Sequence, residues 1–277
     1  MSFTFSHPMM ILPIYNYKPK FFSLFGLVLG STILDISYIF NSTLLEVINK
    51  CIDTNDYFSI KTLLLFYIPS CIALYLFYEY LIKVPLILSL PDIIKSRIPA
   101  NSICTPFIHS LKSFFVFLYS IFVGIITHIV LDEFTHPGTF VSKNFIDLSK
   151  KAGILSISNY LYILTSIAGI VILVLYIFKI NPKPIHKSLN TTSARKFFYW
   201  GVILICGIVK SLSSYQQYKI LLIAFLNIHD YSILLGFIRT FIVQFLSGCI
   251  IGILTVSIIF KSRCVFKKSK SNRPLNT

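Results

Sequence analysis

The run Tyr160–Phe178 carries no charged residue, and this feature limits the possible folds more than any other. Such a run is long enough to cross the apolar part of a bilayer as a helix. Because lipid offers no hydrogen bonds to an exposed backbone, only structures that satisfy their own amides are favoured there. Five more apolar segments extend the pattern: Phe21–Phe40, Thr62–Ile82, Ser113–Asp132, Phe197–Val209 and Tyr231–Phe260. The sequence therefore predicts an all-α, polytopic membrane helical bundle of about six transmembrane helices.

The composition agrees with a membrane protein. Hydrophobic residues make up 55% of the 277 residues and charged residues 13%, with a mean hydropathy of +0.78, whereas soluble domains carry about 25% charged residues. The net charge of +15 could suit nucleic acid, but lysine and arginine cluster between the apolar segments and no nucleic-acid recognition motif accompanies them. We expect a multi-pass protein of the plasma or inner membrane, in contact with the lipid bilayer and not with nucleic acid. Six cysteines without CxxC spacing suggest no disulfide framework.

We expect residues 1–260 to form a single integral membrane domain, and residues 261–277 to form a basic, disordered cytoplasmic tail. The segment Met9–Tyr15 is apolar but too short to span, so it predicts a short N-terminal helix that lies in the interface or dips into the protein. The positions of the basic loops favour cytoplasmic termini and an outer position for the end of the third span. The N-terminus lacks the basic start and cleavage site of a signal peptide.

The end of the third span contains a set of potential metal ligands. His128, Asp132 and His136 follow one another at intervals of four residues, so they share one face of a helix. Pro137 comes next and favours a helix end at His136. Two imidazoles and a carboxylate at this spacing suit a divalent ion such as zinc, manganese or iron. The alternative is an interfacial helix end at which the same side chains meet water.

Other ionisable residues also occur in or beside apolar segments. Asp35 follows an uncharged run, where a carboxylate needs a partner, and we expect it to bind a metal or to support a residue that does. Arg239 either extends towards the membrane surface or faces an anionic substrate such as a phosphate. Glu133 points about 100° away from Asp132 and is expected to be solvated. His7 either belongs to the capping region of the first helix, where Ser6 can cap, or acts as a ligand.

Three stretches together resemble a known family: TFSHP at Thr4–Pro8, LVLGSTILDISYIF at Leu27–Phe40 and FLYSIFVGIITHIVLDEFTHPG at Phe117–Gly138. The chain resembles the bacterial domain-of-unknown-function family 4184, in which TFSHP, GSxxPD and THxxxDxFTHxxG occur in this order. That family is in turn similar to predicted membrane-bound, metal-dependent hydrolases. The resemblance implies that five residues converge on one site: His7, Asp35, His128, Asp132 and His136.

The chain also departs from the family pattern. Leu34 stands where the family has a proline before the aspartate, and Ser59–Thr62 reads SIKT where a histidine is expected. If that histidine is a metal ligand, this chain lacks it.

Three functions therefore remain open. The first is a hydrolase that uses a divalent ion, zinc or manganese, on an anionic lipid or a phosphoester at the membrane surface. The second is a transporter or ion-binding permease, which would need polar residues at mid-membrane on several spans. The third is a non-catalytic membrane protein whose His/Asp cluster holds helices together.

Overall fold

The computed structural model describes residues 4–35, 60–98, 106–182 and 191–271, with only the backbone described for residues 4–6, 60 and 262–271. These residues are almost entirely helical, which confirms the predicted all-α class. The helices are the 3₁₀-helix Thr4–Met10, then Ile11–Tyr17, Leu24–Ile33, Ile60–Thr62, the π-helical Leu63–Tyr67, Ile68–Phe77, the π-helical Tyr78–Ile82, Lys83–Ser89, Asp92–Lys95, Leu111–Thr135, Phe140–Asn144, Ile157–Lys179, Ser193–Ser213, Tyr215–Ile228 and Tyr231–Ser271. A two-residue antiparallel ladder pairs Lys151–Ala152 with Leu155–Ser156.

Five helices of the described chain are long and apolar enough to cross a membrane, and they begin at Leu63, Leu111, Ile157, Ser193 and Tyr231. The predicted first span appears as the helix Leu24–Ile33, which has 10 residues. Residues 36–40 of that predicted span lie outside the described residues, as does most of the polar connection that follows. The described chain thus supplies five of the roughly six predicted spans.

One predicted boundary is wrong. The apolar segment Thr62–Ile82 predicts a span that ends at Ile82, but the helix continues through Lys83–Ser89. The Lys83 Nζ atom lies 2.6 Å from Glu79 Oε1, and the Lys83 side chain is only 1% exposed. Because each charge offsets the other, the pair is tolerated within an apolar helix. The predicted fifth span, Phe197–Val209, is part of a longer helix that continues past Lys210 to Ser213 and is long enough to cross a membrane.

The described structure divides into two compact units. The first contains Met1–Ala73, Thr105–Asn181 and Lys219–Arg239, and the second contains Leu74–Cys104, Pro182–Tyr218 and Thr240–Thr277. The predicted domain boundary at residue 260 and the disorder of the tail stay predictions.

The second unit is organised around a small aromatic and aliphatic core. Tyr199, Ile203, Val256 and Phe260 are all buried and pack together. Beside this core, Trp200 Nε1–H donates a hydrogen bond of 2.8 Å to the carbonyl oxygen of Ser89, at a helix end. A helix end leaves its last carbonyls without partners within the helix, and this bond satisfies one of them.

In the first unit, a close helix pair forms the frame of the candidate site. The short helix (Leu24–Ile33) packs against the site helix (Leu111–Thr135). The contact is between backbones: a Cβ atom added at Gly26 would lie 2.8 Å from the carbonyl oxygen of Phe117, and one added at Gly124 would lie 2.9 Å from Ser31 N. Small residues permit such an approach between membrane helices. The N-terminal 3₁₀-helix (Thr4–Met10) packs against both helices and against Ile157–Lys179.

Candidate metal centre

The site helix ends where the sequence predicts. Ser110 and Ser113 form a capping box at its start, and Thr135 is its last residue. His136 has an extended backbone and its N–H donates to the carbonyl oxygen of Asp132 at 3.0 Å. Pro137 and Gly138 follow, and Gly138 has a φ of +83°, which favours glycine. The helix therefore stops at the last of its three potential ligands.

The three side chains at the end of the site helix lie together, as their spacing predicts. His128 Nε2 lies 3.2 Å from Asp132 Oδ2, and His136 Nδ1 lies 3.5 Å from Asp132 Oδ1. Asp132 thus lies between the two imidazoles. His128 is 1% exposed, while the His136 side chain is 20% exposed, so the row runs from the protein interior towards its surface.

The short helix fixes the orientation of His128. His128 Nδ1–H donates a hydrogen bond of 2.7 Å to the carbonyl oxygen of Ser31. This bond assigns the proton to Nδ1 and leaves the lone pair of Nε2 directed at the carboxylates, as in histidines that bind metals. The close contact at Gly30 and Gly124 brings the Ser31 carbonyl within reach.

The N-terminal 3₁₀-helix contributes His7, which is 1% exposed. Its ring stacks on that of His128, with centroids 3.9 Å apart and planes at 11°. Its Nε2 atom lies 3.9 Å from Asp132 Oδ1. Burial, and to a lesser extent the neighbouring His128, lowers the pKa of His7 to about 3. The imidazole is therefore neutral near pH 7, which is the form that binds a metal.

Asp35, which lies two residues after the end of the short helix, completes the cluster. Its side chain is 2% exposed, and its oxygens lie 3.6 Å from His7 Nε2 and 3.9 Å from His128 Nε2. All five residues named by the resemblance thus lie in one cluster, which we call the His/Asp cluster (His7, Asp35, His128, Asp132 and His136).

The spacing of the donor atoms fits a shared cation. His7, His128 and Asp132 each offer a ligand atom, and these atoms all lie within 4.8 Å of one another, so the group could hold a metal ion. Ligands at 2.0–2.2 Å from a tetrahedral ion lie about 3.4 Å apart, and those of an octahedral ion about 3.0 or 4.2 Å apart. Asp132 Oδ2 lies 3.2 Å from His128 Nε2 and Asp132 Oδ1 lies 3.9 Å from His7 Nε2, and both separations fall within this range.

Several polar atoms of the cluster are buried without a hydrogen bond. Among the described residues, His128 Nε2, Asp132 Oδ1 and His136 Nε2 have no hydrogen-bond partner. His128 Nε2 lies 3.2 Å from Asp132 Oδ2, but with the His128 proton on Nδ1 neither atom has a hydrogen to donate. Buried polar atoms in folded proteins nearly always have partners, so a ligand at this position would satisfy atoms that the chain leaves unsatisfied.

The other candidate residues have different roles. The Glu133 carboxylate accepts a hydrogen bond from Val141 N–H at 3.4 Å, at the start of the helix Phe140–Asn144. Asp230 caps the last helix, because its Oδ1 atom accepts from Ser232 N–H at 2.9 Å. His109 is exposed in a loop, and Lys61, near the expected family histidine, is also exposed. His186 and Ser59 lie outside the described residues.

A pocket of about 290 Å³ borders the His/Asp cluster at His136. Among the residues that line it are His136, Ser158, Asn159, Tyr162, Ser232 and Arg239. Of these, only His136 and Arg239 are indicated by the sequence pattern. Three of the four residues in Ser156–Asn159 are polar, which is a signal for Ser158 and Asn159, but this is also an ordinary helix start, since Ser156 Oγ accepts from Asn159 N–H at 3.4 Å.

Comparison with known proteins gives one result. A family model described as "Domain of unknown function (DUF4184)" matches residues 1–258. No curated protein matches the chain, and no solved structure matches it either.

Proposed function

Because the chain belongs to the family DUF4184, whose function is unknown, we propose a function from the chemistry of its own cluster: a membrane-embedded, metal-dependent hydrolase. We propose that it acts on a lipid-like or phosphoester substrate at the surface of the plasma or inner membrane. The observation that carries the proposal is the convergence of His7, His128 and Asp132 from two distant parts of the chain.

The donor set supports zinc or manganese as the ion. Two imidazoles and one carboxylate form a common catalytic zinc site. A second carboxylate, from Asp35, adds the oxygen donor that manganese prefers. His7, His128 and Asp132 would hold the ion, and Asp35 would supply a further donor. Ser31 would keep His128 in the ligating tautomer through its carbonyl oxygen.

Hydrolysis adds water across an ester bond: the hydroxyl goes to the phosphorus or acyl carbon, and a proton goes to the leaving alcohol. A divalent ion, when bound, lowers the pKa of the water it holds and polarises the bond that breaks. The chain supplies the remaining functions. Asp35 and Asp132 can accept a proton from water, and His136, at the border of the pocket, can donate one to the leaving oxygen.

The position of the cluster supports a substrate at the membrane surface. The cluster lies where the site helix ends, and residues near the ends of three helices line the adjoining pocket, among them His136, Ser158 and Ser232. The similarity of the sequence motifs to predicted membrane-bound, metal-dependent hydrolases agrees with this assignment. A transporter is less well supported, because the helix Ile157–Lys179 has no charged residue before Lys179.

Metal content tests the proposal. The protein is purified in detergent, loaded with zinc or manganese, dialysed and analysed by mass spectrometry of the metal. We expect about one ion per chain in the wild type and in the control variant His109→Ala, which removes an exposed histidine. The variants His128→Ala/Asp132→Ala and Asp132→Asn should retain almost none.

A hydrolysis assay follows with a phosphomonoester, a phosphodiester and an acyl ester. Turnover of at least one ester should disappear with chelator and return with metal. Wild-type protein that elutes as a folded species but binds neither ion would disprove the metal site. Metal-loaded protein that hydrolyses none of the three esters would leave the cluster as a structural metal site.

A further inference from the structure

We propose that Arg239 and the pocket beside His136 bind the phosphate group of the substrate, and so direct its ester bond to the His/Asp cluster. This inference rests on the proposed function. It assigns a substrate class, phosphate esters, and a binding residue outside the cluster.

The first argument concerns the charge of Arg239. The residue lies in the third turn of an apolar helix, where an arginine is costly unless it is paired or faces water. Among the described residues Arg239 makes no ion pair and no hydrogen bond. Asp230, two residues before Ser232 of the pocket lining, is already engaged by Lys151 at 3.7 Å and by Ser232. The Arg239 residue is exposed, so an anion from outside the chain can reach its guanidinium and pair with it.

The second argument is the charge balance of the site as a whole. The carboxylates of Asp35 and Asp132 together offset a divalent ion. The positive charge of Arg239 then remains to be matched by the substrate. A phosphate ester carries one or two negative charges, and the planar guanidinium can bind two of its oxygens at once.

The third argument concerns the neutral groups that line the pocket. Asn159 and Tyr162 line it together with Arg239, and both can donate hydrogen bonds to an oxyanion. Neither side chain has a hydrogen-bond partner among the described residues. Tyr162 lines the same pocket as His136, which is the cluster residue at its border.

The size of the pocket limits what it holds. A volume of about 290 Å³ is at the small end of ligand sites. It accommodates a phosphate and the atoms attached to it but not a whole lipid. The phosphate could belong to a lipid headgroup, whose acyl chains would stay in the bilayer, or to a soluble phosphate compound.

Binding measurements test the inference without an activity assay. Zinc-loaded protein in a phosphate-free, uncharged detergent is titrated with inorganic phosphate. In a second arm it is mixed with micelles that contain either phosphatidic acid or diacylglycerol, which lacks the phosphate. Binding is followed by calorimetry, and zinc content is measured in the same samples. The variants are Arg239→Gln and Arg239→Lys, with Lys210→Gln as a control that removes a positive charge from another span.

We expect the wild type and Lys210→Gln to bind inorganic phosphate, or to bind phosphatidic acid in preference to diacylglycerol. Arg239→Gln should weaken that binding tenfold or more, with Arg239→Lys between the two, while zinc content stays unchanged. If Arg239→Gln does not fold, Arg239→Lys and Tyr162→Phe supply the comparison. A response to phosphate alone indicates a soluble substrate, and a response to phosphatidic acid indicates a lipid.

Two results would overturn the inference. One is zinc-loaded wild type that binds no phosphate probe, and the other is Arg239→Gln that binds as tightly as the wild type. Either result, obtained with zinc still bound, leaves the proposed metal site intact. Conversely, protein that binds phosphate through Arg239 but holds no metal would contradict the proposed function and keep the anion site.

Discussion

Replacing Gly124 by alanine should separate the short helix from the site helix and weaken the metal site that depends on their contact. The added Cβ would lie 2.9 Å from Ser31 N and 3.0 Å from Gly30 Cα, and closer still to Leu27 O. Atoms in normal contact lie about 3.5–4.0 Å apart. The two backbones must therefore move apart by roughly 0.5–1 Å, at a cost of about 1–3 kcal/mol of stability.

The same movement reaches the metal site through one hydrogen bond. His128 Nδ1 and Ser31 O are 2.7 Å apart, and the bond crosses the contact that Gly124 permits. A shift of roughly 0.5–1 Å stretches it to about 3.2–3.7 Å, at or beyond the limit of a hydrogen bond. Loss of a bond that orients a ligating histidine lowers metal affinity by about 10–100-fold.

Two measurements check this prediction, both on purified protein in detergent. The first is the midpoint of thermal unfolding without metal, and the second is the zinc affinity in competition with a coloured chelator. The control is Gly201→Ala, which also adds a methyl group to a helix but meets no atom within 4 Å. The reasoning is refuted if Gly124→Ala and Gly201→Ala have the same unfolding midpoint and the same zinc affinity.

Three further predictions concern the second unit and the span that enters it. Lys83→Met leaves the carboxylate of Glu79 buried without its partner, so the free energy of unfolding should fall by about 3 kcal/mol in chemical denaturation. The double variant Lys83→Met/Glu79→Gln should recover most of that loss. Trp200→Phe leaves a helix-end carbonyl without its donor and should cost about 1–3 kcal/mol in the same assay, whereas Trp200→His, if its ring N–H reaches the carbonyl, should cost less. The hydrogen bond from Lys196 lowers the pKa of Asp92, so the pair stabilises the fold above about pH 4 and its contribution disappears as the pH falls through the lowered pKa. Asp92→Asn should lack that part of the acid dependence of the unfolding midpoint, and an unchanged acid dependence would contradict the assignment.

Local patterns predicted most of the helices of this protein. Uncharged runs identified the helices that begin at Leu111 and Ile157, because length and hydropathy decide what can cross a bilayer. Pro137 identified the end of the site helix. The predicted second span ended too early, at Ile82. The i,i+4 spacing of Glu79 and Lys83 predicts an ion pair, which the structure confirms, but a paired charge does not end an apolar helix.

The candidate site was predictable in part. The spacing of His128, Asp132 and His136 sets a common helix face, and the structure confirms it. The uncharged run before Asp35 indicated that this carboxylate needs a partner, but only the family resemblance placed Asp35 and His7 in one site with the three residues of the helix. Asn159 and Tyr162 were missed because both are ordinary residues near the start of a helix. Only contacts between helices bring them beside Arg239.

Local sequence patterns specify that this chain forms apolar helices, where most of them end, and which face of one helix carries the histidines. These properties depend on residues within a few turns of one another. Packing between distant segments places an N-terminal histidine against the ring of His128 and the Ser31 carbonyl where it orients that ring. It also brings an arginine from the third span after the site helix into a pocket with His136. Such contacts join residues about 100 positions apart, and their geometry depends on how closely glycine-lined backbones pack, which no local pattern specifies.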